Sequence, residues 1–120
     1  MDERISDKIV VIPKPDYISW ESITDLLHLA YKERADENLH YGASTQSVEK
    51  TVERVGNGIC FVALIEGVLV GTASLIIFND KGRQNGYFIQ NGVHPDYKKL
   101  GIGSKLRDTC IDFAKLHNFQ

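Results

Sequence analysis

The sequence predicts an α/β (α+β) fold, a mostly antiparallel sheet with helices on both faces, in the order β-α-α-β-β-β-α. Three observations carry this. Two consecutive runs, Gly58–Ile65 and Val68–Phe78, are apolar at nearly every position, the pattern of strands covered on both faces. Only Glu66-Gly67 separates them, which is the length of a tight hairpin loop and makes the pair antiparallel. Stretches with helical apolar spacing precede and follow these strands and supply the covering layers.

The elements follow in order. Lys8–Pro13 is short and β-branched, and reads as a first strand. Ser19 is placed to cap a helix in which Trp20, Ile23, Leu26, Leu27, Ala30 and Tyr31 recur at helical spacing and face the sheet. Residues 33–43 break that pattern and read as a loop. A second helix is expected near Gln46–Val55, with Val48, Val52 and Val55 on its inner face and Gly56 as its stop. After the two hairpin strands, Asn79–Asn85 reads as a polar loop and Gly86–Val93 as a fourth strand. The last helix starts at about Gly103 and turns Ile102, Leu106, Cys110 and Phe113 inward.

Composition bounds the function. The length suits one domain, residues 1–120, with one core. A net charge of −2 and the lack of a basic stripe argue against a nucleic-acid partner. No apolar run approaches the ~20 residues of a membrane span. The charged start Met1-Asp2-Glu3-Arg4 lacks an apolar signal core, so the expected location is cytoplasmic. Cys60 and Cys110 fall in apolar runs and read as buried, reduced thiols. His28, His40, His94 and His117 have no metal-ligand spacing, so no metal is expected.

The most informative stretch runs from Val93 to Leu106. A strand ends at Val93, Pro95 starts a turn, and a helix opens near Gly103. Between them lie Lys98, Lys99, Gly101 and Gly103, with Lys105 and Arg107 just beyond. A helix start carries unpaired N–H groups and partial positive charge, and glycines let a ligand approach that backbone. Such a segment suits a pyrophosphate. Read alone, it serves equally well as a flexible turn into a helix. It is not a P-loop, because Lys105 follows Ser104 and not a glycine, and no third glycine stands at Leu106 to complete a dinucleotide fingerprint.

The order Val-x-Pro-x-Tyr-Lys-x-x-Gly-Ile-Gly-x-x-Leu resembles the acetyl-CoA-binding motif of the GNAT superfamily of N-acetyltransferases, Gln/Arg-x-x-Gly-x-Gly/Ala after the fourth strand. Lys98 stands where that family has Gln or Arg, so the charge is kept without the planar guanidinium fork. The element order matches the amino-terminal portion of the GNAT-like acyl-CoA N-acyltransferase fold. The resemblance implies a mixed sheet in the complete fold. It also implies that residues 1–120 lack the carboxyl-terminal strand, helix and hairpin.

The resemblance further implies that acetyl-CoA is the cosubstrate, held by Val93, Lys98, Lys99, Leu100, Gly101, Ile102, Gly103 and Ser104. A bulge in the fourth strand would expose backbone groups, with the Val93 N–H as oxyanion donor. The acceptor would be a primary amine of a small molecule or peptide, attacking directly. The fourth strand carries no carboxylate in Phe88-Ile89-Gln90-Asn91-Gly92, where many family members have a Glu base. Gln90 or Asn91 could orient a water. His94 has a suitable intrinsic pKa for a base, or is a structural or exposed residue beside the turn. Tyr87 reads as a packing residue, and the family's usual tyrosine acid belongs to the part beyond Gln120. Around the first two helices, Glu33, Asp36, Glu37, His40 and Tyr41 form either an acidic rim for a cationic amine or a solvated loop. The missing carboxylate and carboxyl-terminal half leave a non-catalytic CoA-binding or protein-interaction module as the alternative. An exposed fourth-strand edge would invite a homodimer.

Overall fold

The computed structural model describes residues 8–35 and 46–117. Four strands, β1 (Ile9–Pro13), β2 (Ile59–Ile65), β3 (Val68–Asp80) and β4 (Arg83–Val93), form one sheet in the order β1-β2-β3-β4. All three pairings are antiparallel. Helices α1 (Trp20–Ala35) and α2 (Val48–Val55) cover one face, and α3 (Ile102–Leu116) covers the other.

The two-sided burial expected of the central strands is observed in β2 and from Val70 to Leu75 of β3, whereas Val68 and Phe78 near the ends of β3 are exposed. In β2, alternation sends Phe61 and Ala63 toward Ile102, Leu106 and Cys110 of α3. It sends Cys60, Val62 and Leu64 toward Ile23, Leu27 and Tyr31 of α1. Helices approach the sheet closely where side chains are missing. A Cβ on Gly71 would lie 2.8 Å from Ile102 Cγ2, and one on Gly92 would lie 2.8 Å from Ala30 Cβ. The Ser19 Oγ accepts the Ser22 N–H at 3.1 Å and caps α1 as expected.

Four boundaries differ from the sequence reading. Asn79–Asn85 is no loop: β3 and β4 continue through it, paired to Asp80↔Arg83, and turn on Lys81-Gly82. Both turn residues have positive φ, 52° and 82°, the twist that suits a two-residue hairpin. Backbone pairing alone makes this polar stretch a strand, which side-chain pattern could not reveal. Residues 33–35 belong to the end of α1 and not to a loop. The second helix begins at Val48, with Gln46 outside it and Ser47 as cap, its Oγ accepting the Lys50 N–H at 3.1 Å. Its inner face is Thr51 and Val55, whereas Val52 is exposed. Thr51 takes the inward place because its hydroxyl finds buried partners, accepting from Thr24 Oγ1 at 2.8 Å and Gln46 Nε2 at 2.7 Å.

Both cysteines are free and buried. Burial pushes the Cys110 thiol up to about 11, with the nearby Cys60 thiol adding to the shift. A raised folded-state pKa contributes stability below the unfolded value, lost as pH rises through the folded one. Denaturant melts should therefore show stability falling between roughly pH 9 and 11, by on the order of 2 kcal/mol. Cys110→Ala should flatten that decline, and an unchanged alkaline profile would count against this cause.

Candidate functional site

The outer end of β4 is irregular. Ser74 pairs with Ile89 and Thr72 with Gly92, so the single residue Ala73 faces both Gln90 and Asn91. This is a bulge, and its first residue, Gln90, has φ 47°, a left-handed conformation uncommon for a non-glycine. Beyond it the His94 N–H donates to Val70 O at 2.8 Å, toward β3. Peptide groups alternate along a strand, so the Val93 N–H turns the other way, toward the open side of β4. Among the described residues no strand pairs on that side.

After Val93 the chain makes a short 3-10 turn, Pro95–Tyr97, and reaches α3 through two residues with positive φ, Lys99 at 65° and Gly101 at 84°. Gly101 is the N-cap and offers no side-chain cap. The first helical bond of α3 runs from Lys105 N to Gly101 O at 3.0 Å. The N–H groups of Ile102, Gly103 and Ser104 therefore have no acceptor inside the helix. A Cβ added at Gly103 would meet only Val93 Cγ2, at 3.8 Å.

These two backbone features open onto one cleft of about 570 Å³. Asn91, Gly92 and Val93 form its floor, Ala30 and Tyr31 of α1 one wall, and Gly103, Ser104 and Arg107 of α3 the other. Lys98 and Arg107 bring positive charge to the lining, and no carboxylate stands among the lining residues. The Tyr31 hydroxyl donates to Asn91 O at 2.7 Å, fixing the wall to the bulge. An anionic, elongated ligand fits this arrangement, with its anionic part at the α3 N-terminus and an amide- or carbonyl-bearing part along β4.

The structure thus brings Val93, Lys98, Gly103 and Ser104 to one cleft. Ile102 is buried in the core and is not among the lining residues. Lys105 is directed elsewhere, its Nζ donating to Ile9 O of β1 at 2.6 Å. His94 is not among the lining residues. Its Nδ1 accepts the Asp96 N–H at 3.1 Å, and its ring meets Tyr97 edge to face. Gln90 points away from the cleft and is buried against Gln46 and Thr51. Tyr87 packs on Phe78 with ring centroids 5.3 Å apart. Asp36, Glu37, His40 and Tyr41 lie outside the described residues. Sequence reading placed Tyr31 in the core stripe and missed its hydroxyl's part in the cleft, for which only its aromatic type was a signal. Arg107 was read as local charge, and its place in the wall needed the pitch of α3. Among the described residues no group of three or more His, Cys, Asp or Glu is placed to hold a metal ion. No helix of the described residues is long and apolar enough to cross a membrane.

Comparison with solved structures finds the same fold. A predicted acetyltransferase of Clostridium acetobutylicum, solved with acetyl-CoA, matches with a TM-score of 0.64 at 14% identity, over 93% of this chain and 77% of that one. A GNAT family acetyltransferase of Elizabethkingia anophelis with acetyl-CoA bound matches with a TM-score of 0.68 at 19% identity, over 95% and 62%. The glucosamine N-acetyltransferase region of a fungal multi-domain β-N-acetylglucosaminidase matches with a TM-score of 0.69 at 16% identity, over 88% of this chain. This chain spans only 12% of that fungal protein. At these identities the likeness is one of fold. The sequence profile of the acetyltransferase (GNAT) family matches residues 20–120, from the start of α1 through the bulged strand and α3, and the chain belongs to that family.

Proposed function

We propose that the cleft between the β4 bulge and α3 binds acetyl-CoA, and that the chain passes the acetyl group to a primary amine of a small molecule or peptide. The observation that carries this is the convergence of two backbone donor sets on one cleft: the outward Val93 N–H and the uncapped N-terminus of α3. Bound acetyl-CoA supplies an acetyl thioester, whose acetyl group moves to the attacking nitrogen with release of the CoA thiol. Gly101, Ile102, Gly103 and Ser104 hold the pyrophosphate through backbone N–H groups. Lys98, Lys99 and Leu100 shape the turn that leads into them, and the lysines add charge.

The Val93 N–H meets the negative charge that develops on the thioester oxygen. A donor of this kind is worth on the order of 3 kcal/mol of barrier. Holding amine and thioester in line supplies the rest. The cleft lining offers no carboxylate base, so the amine would lose its proton to water held at Asn91 or to a residue beyond the described lining. His94 remains a candidate only through Nε2, because Nδ1 caps the turn. The likeness to a fungal glucosamine N-acetyltransferase region supports an amine acceptor. A second copy pairing along Arg83–Tyr87, short of the cleft-lining Phe88, completes the proposal. No like charges interrupt that edge between Gln84 and Val93. Exclusively monomeric scattering at high concentration would remove that part.

The central test is titration calorimetry with acetyl-CoA, followed by a thiol-release assay over a panel of aminosugars, polyamines and peptides. Saturable binding and thiol release with at least one amine are expected. Absence of binding at millimolar acetyl-CoA would overturn the proposal. Binding without turnover on any amine would reduce it to cofactor binding.

A further inference from the structure

We infer that the buried Gln46–Gln90 amide pair, tied to Thr51 of α2, is a positioning device for the cofactor strand. Through it the α1–α2 layer sets the direction in which the Val93 N–H points. The inference rests on the proposed binding of acetyl-CoA in the cleft.

Gln90 opens the bulge in a left-handed conformation that, within a strand and away from a turn, a non-glycine residue needs its surroundings to hold. The hold is visible. The Gln90 side chain is buried, its Oε1 accepts from Gln46 Nε2 at 2.8 Å, and its Nε2 donates to Thr51 O at 3.3 Å. Gln46 Nε2 also donates to Thr51 Oγ1 at 2.7 Å, so both amides are anchored on one residue of α2. The Gln46 backbone carbonyl in turn accepts from His28 Nε2 of α1 at 2.7 Å, which ties the pair to the neighbouring helix.

The bulge decides which way the end of β4 faces. Ile89 pairs with Ser74, and Gly92 pairs with Thr72, on the α1–α2 side of the sheet. In regular alternation from Ile89, Val93 would fall on that side and Gly92 on the α3 side. The space there is closed, since even a Cβ on Gly92 would lie 2.8 Å from Ala30 Cβ. The extra residue places Gly92 against Ala30 and Val93 against α3, with the Val93 N–H toward the cleft. Gln90 does not line the cleft, so it acts through the backbone of Asn91, Gly92 and Val93.

The test uses two ligands on the full chain: acetyl-CoA, and 3′-phospho-ADP, which is the nucleotide half alone. Gln90→Gly keeps the left-handed backbone accessible and removes the tether, and Gln46→Leu removes its partner. Each is expected to weaken acetyl-CoA roughly tenfold. Binding of 3′-phospho-ADP should stay within about twofold, because the N-terminus of α3 is untouched. The double variant should lose less than the sum of the two single losses, since both break the shared Gln46–Gln90 bond. Amide exchange at Asn91–Val93 should quicken while Gly86–Ile89 stays as in the parent chain. Unchanged acetyl-CoA affinity, or equal losses for both ligands, would overturn the inference. If the parent chain binds neither ligand, the proposed function fails, and the exchange measurement decides alone: unchanged exchange at Asn91–Val93 rejects the device.

Discussion

Gly103→Val is expected to weaken acetyl-CoA binding at least about a hundredfold while leaving the fold as stable as before. A Cβ at Gly103 would meet only Val93 Cγ2, at an ordinary contact distance of 3.8 Å, so the protein itself has no need of glycine there. Valine is slightly the better helix former of the two, and alanine is better by about 1 kcal/mol. Any side chain at this position stands over the N–H groups that open α3, where an anion would have to approach. A hundredfold loss corresponds to about 2.7 kcal/mol, a reasonable sum for two or three charge-assisted hydrogen bonds lengthened or lost. Gly103→Ala should show the split most clearly, with a higher melting temperature and weaker binding. Gly101→Ala should do the reverse on stability, because φ 84° strains any residue with a Cβ by about 1–2 kcal/mol. Calorimetry and thermal melts on the three variants check this. Undiminished binding by Gly103→Val in a chain whose parent binds acetyl-CoA would remove the α3 N-terminus from the site.

Leu106→Ala should cost about 3 kcal/mol of folding stability, the largest single loss expected from the α3 side of the core. Leu106 is 1% exposed and reaches the floor of the sheet at Gly71, where a Cβ would lie 3.1 Å from its Cδ1. Removing it leaves a cavity between α3 and β3 that the glycine opposite cannot fill. The melting temperature should fall by roughly 10–15 °C for a chain of this size. Leu106 also lines the cleft, so loss of packing and loss of ligand affinity should go together. Acetyl-CoA at about a hundred times its dissociation constant should restore about 2.7 kcal/mol if it binds only the folded form. Leu116→Ala on the same helix is the control, because Leu116 is 78% exposed and its removal should move the melt little. Equal melts for the two variants would show that α3 is not held as described.

Much of the fold could be read directly. The apolar runs Gly58–Ile65 and Val68–Phe78 announce strands covered twice, and the structure places Phe61 and Val62 in opposite cores as that pattern requires. Ser19, Gly56 and Glu66-Gly67 mark a cap, a stop and a turn whose chemistry is local. Local pattern failed where backbone pairing or a distant partner decides. Gln84 and Asn85 carry no strand signal, yet each pairs with β3, because a ladder hydrogen bond is indifferent to the side chain. Val52 looks more apolar than Thr51, yet Thr51 is buried, because Thr24 and Gln46 reach it from elsewhere in the chain.

The same division runs through the site. Gly101, Gly103 and the lysines before them fall in one short stretch, and the open N-terminus of a helix is a local property of the backbone, so the proposed anion cradle is legible in the sequence itself. The direction of the Val93 N–H is not local. It depends on one extra residue at Gln90, whose side chain is bonded to Gln46 and Thr51, and on the seating of Gly92 against Ala30 and of the Asn91 carbonyl on Tyr31. Those contacts join residues some 40 to 60 positions apart. Their geometry exists only once α1, α2 and the sheet have packed together, since no short-range preference of Gln90 favours the conformation it adopts.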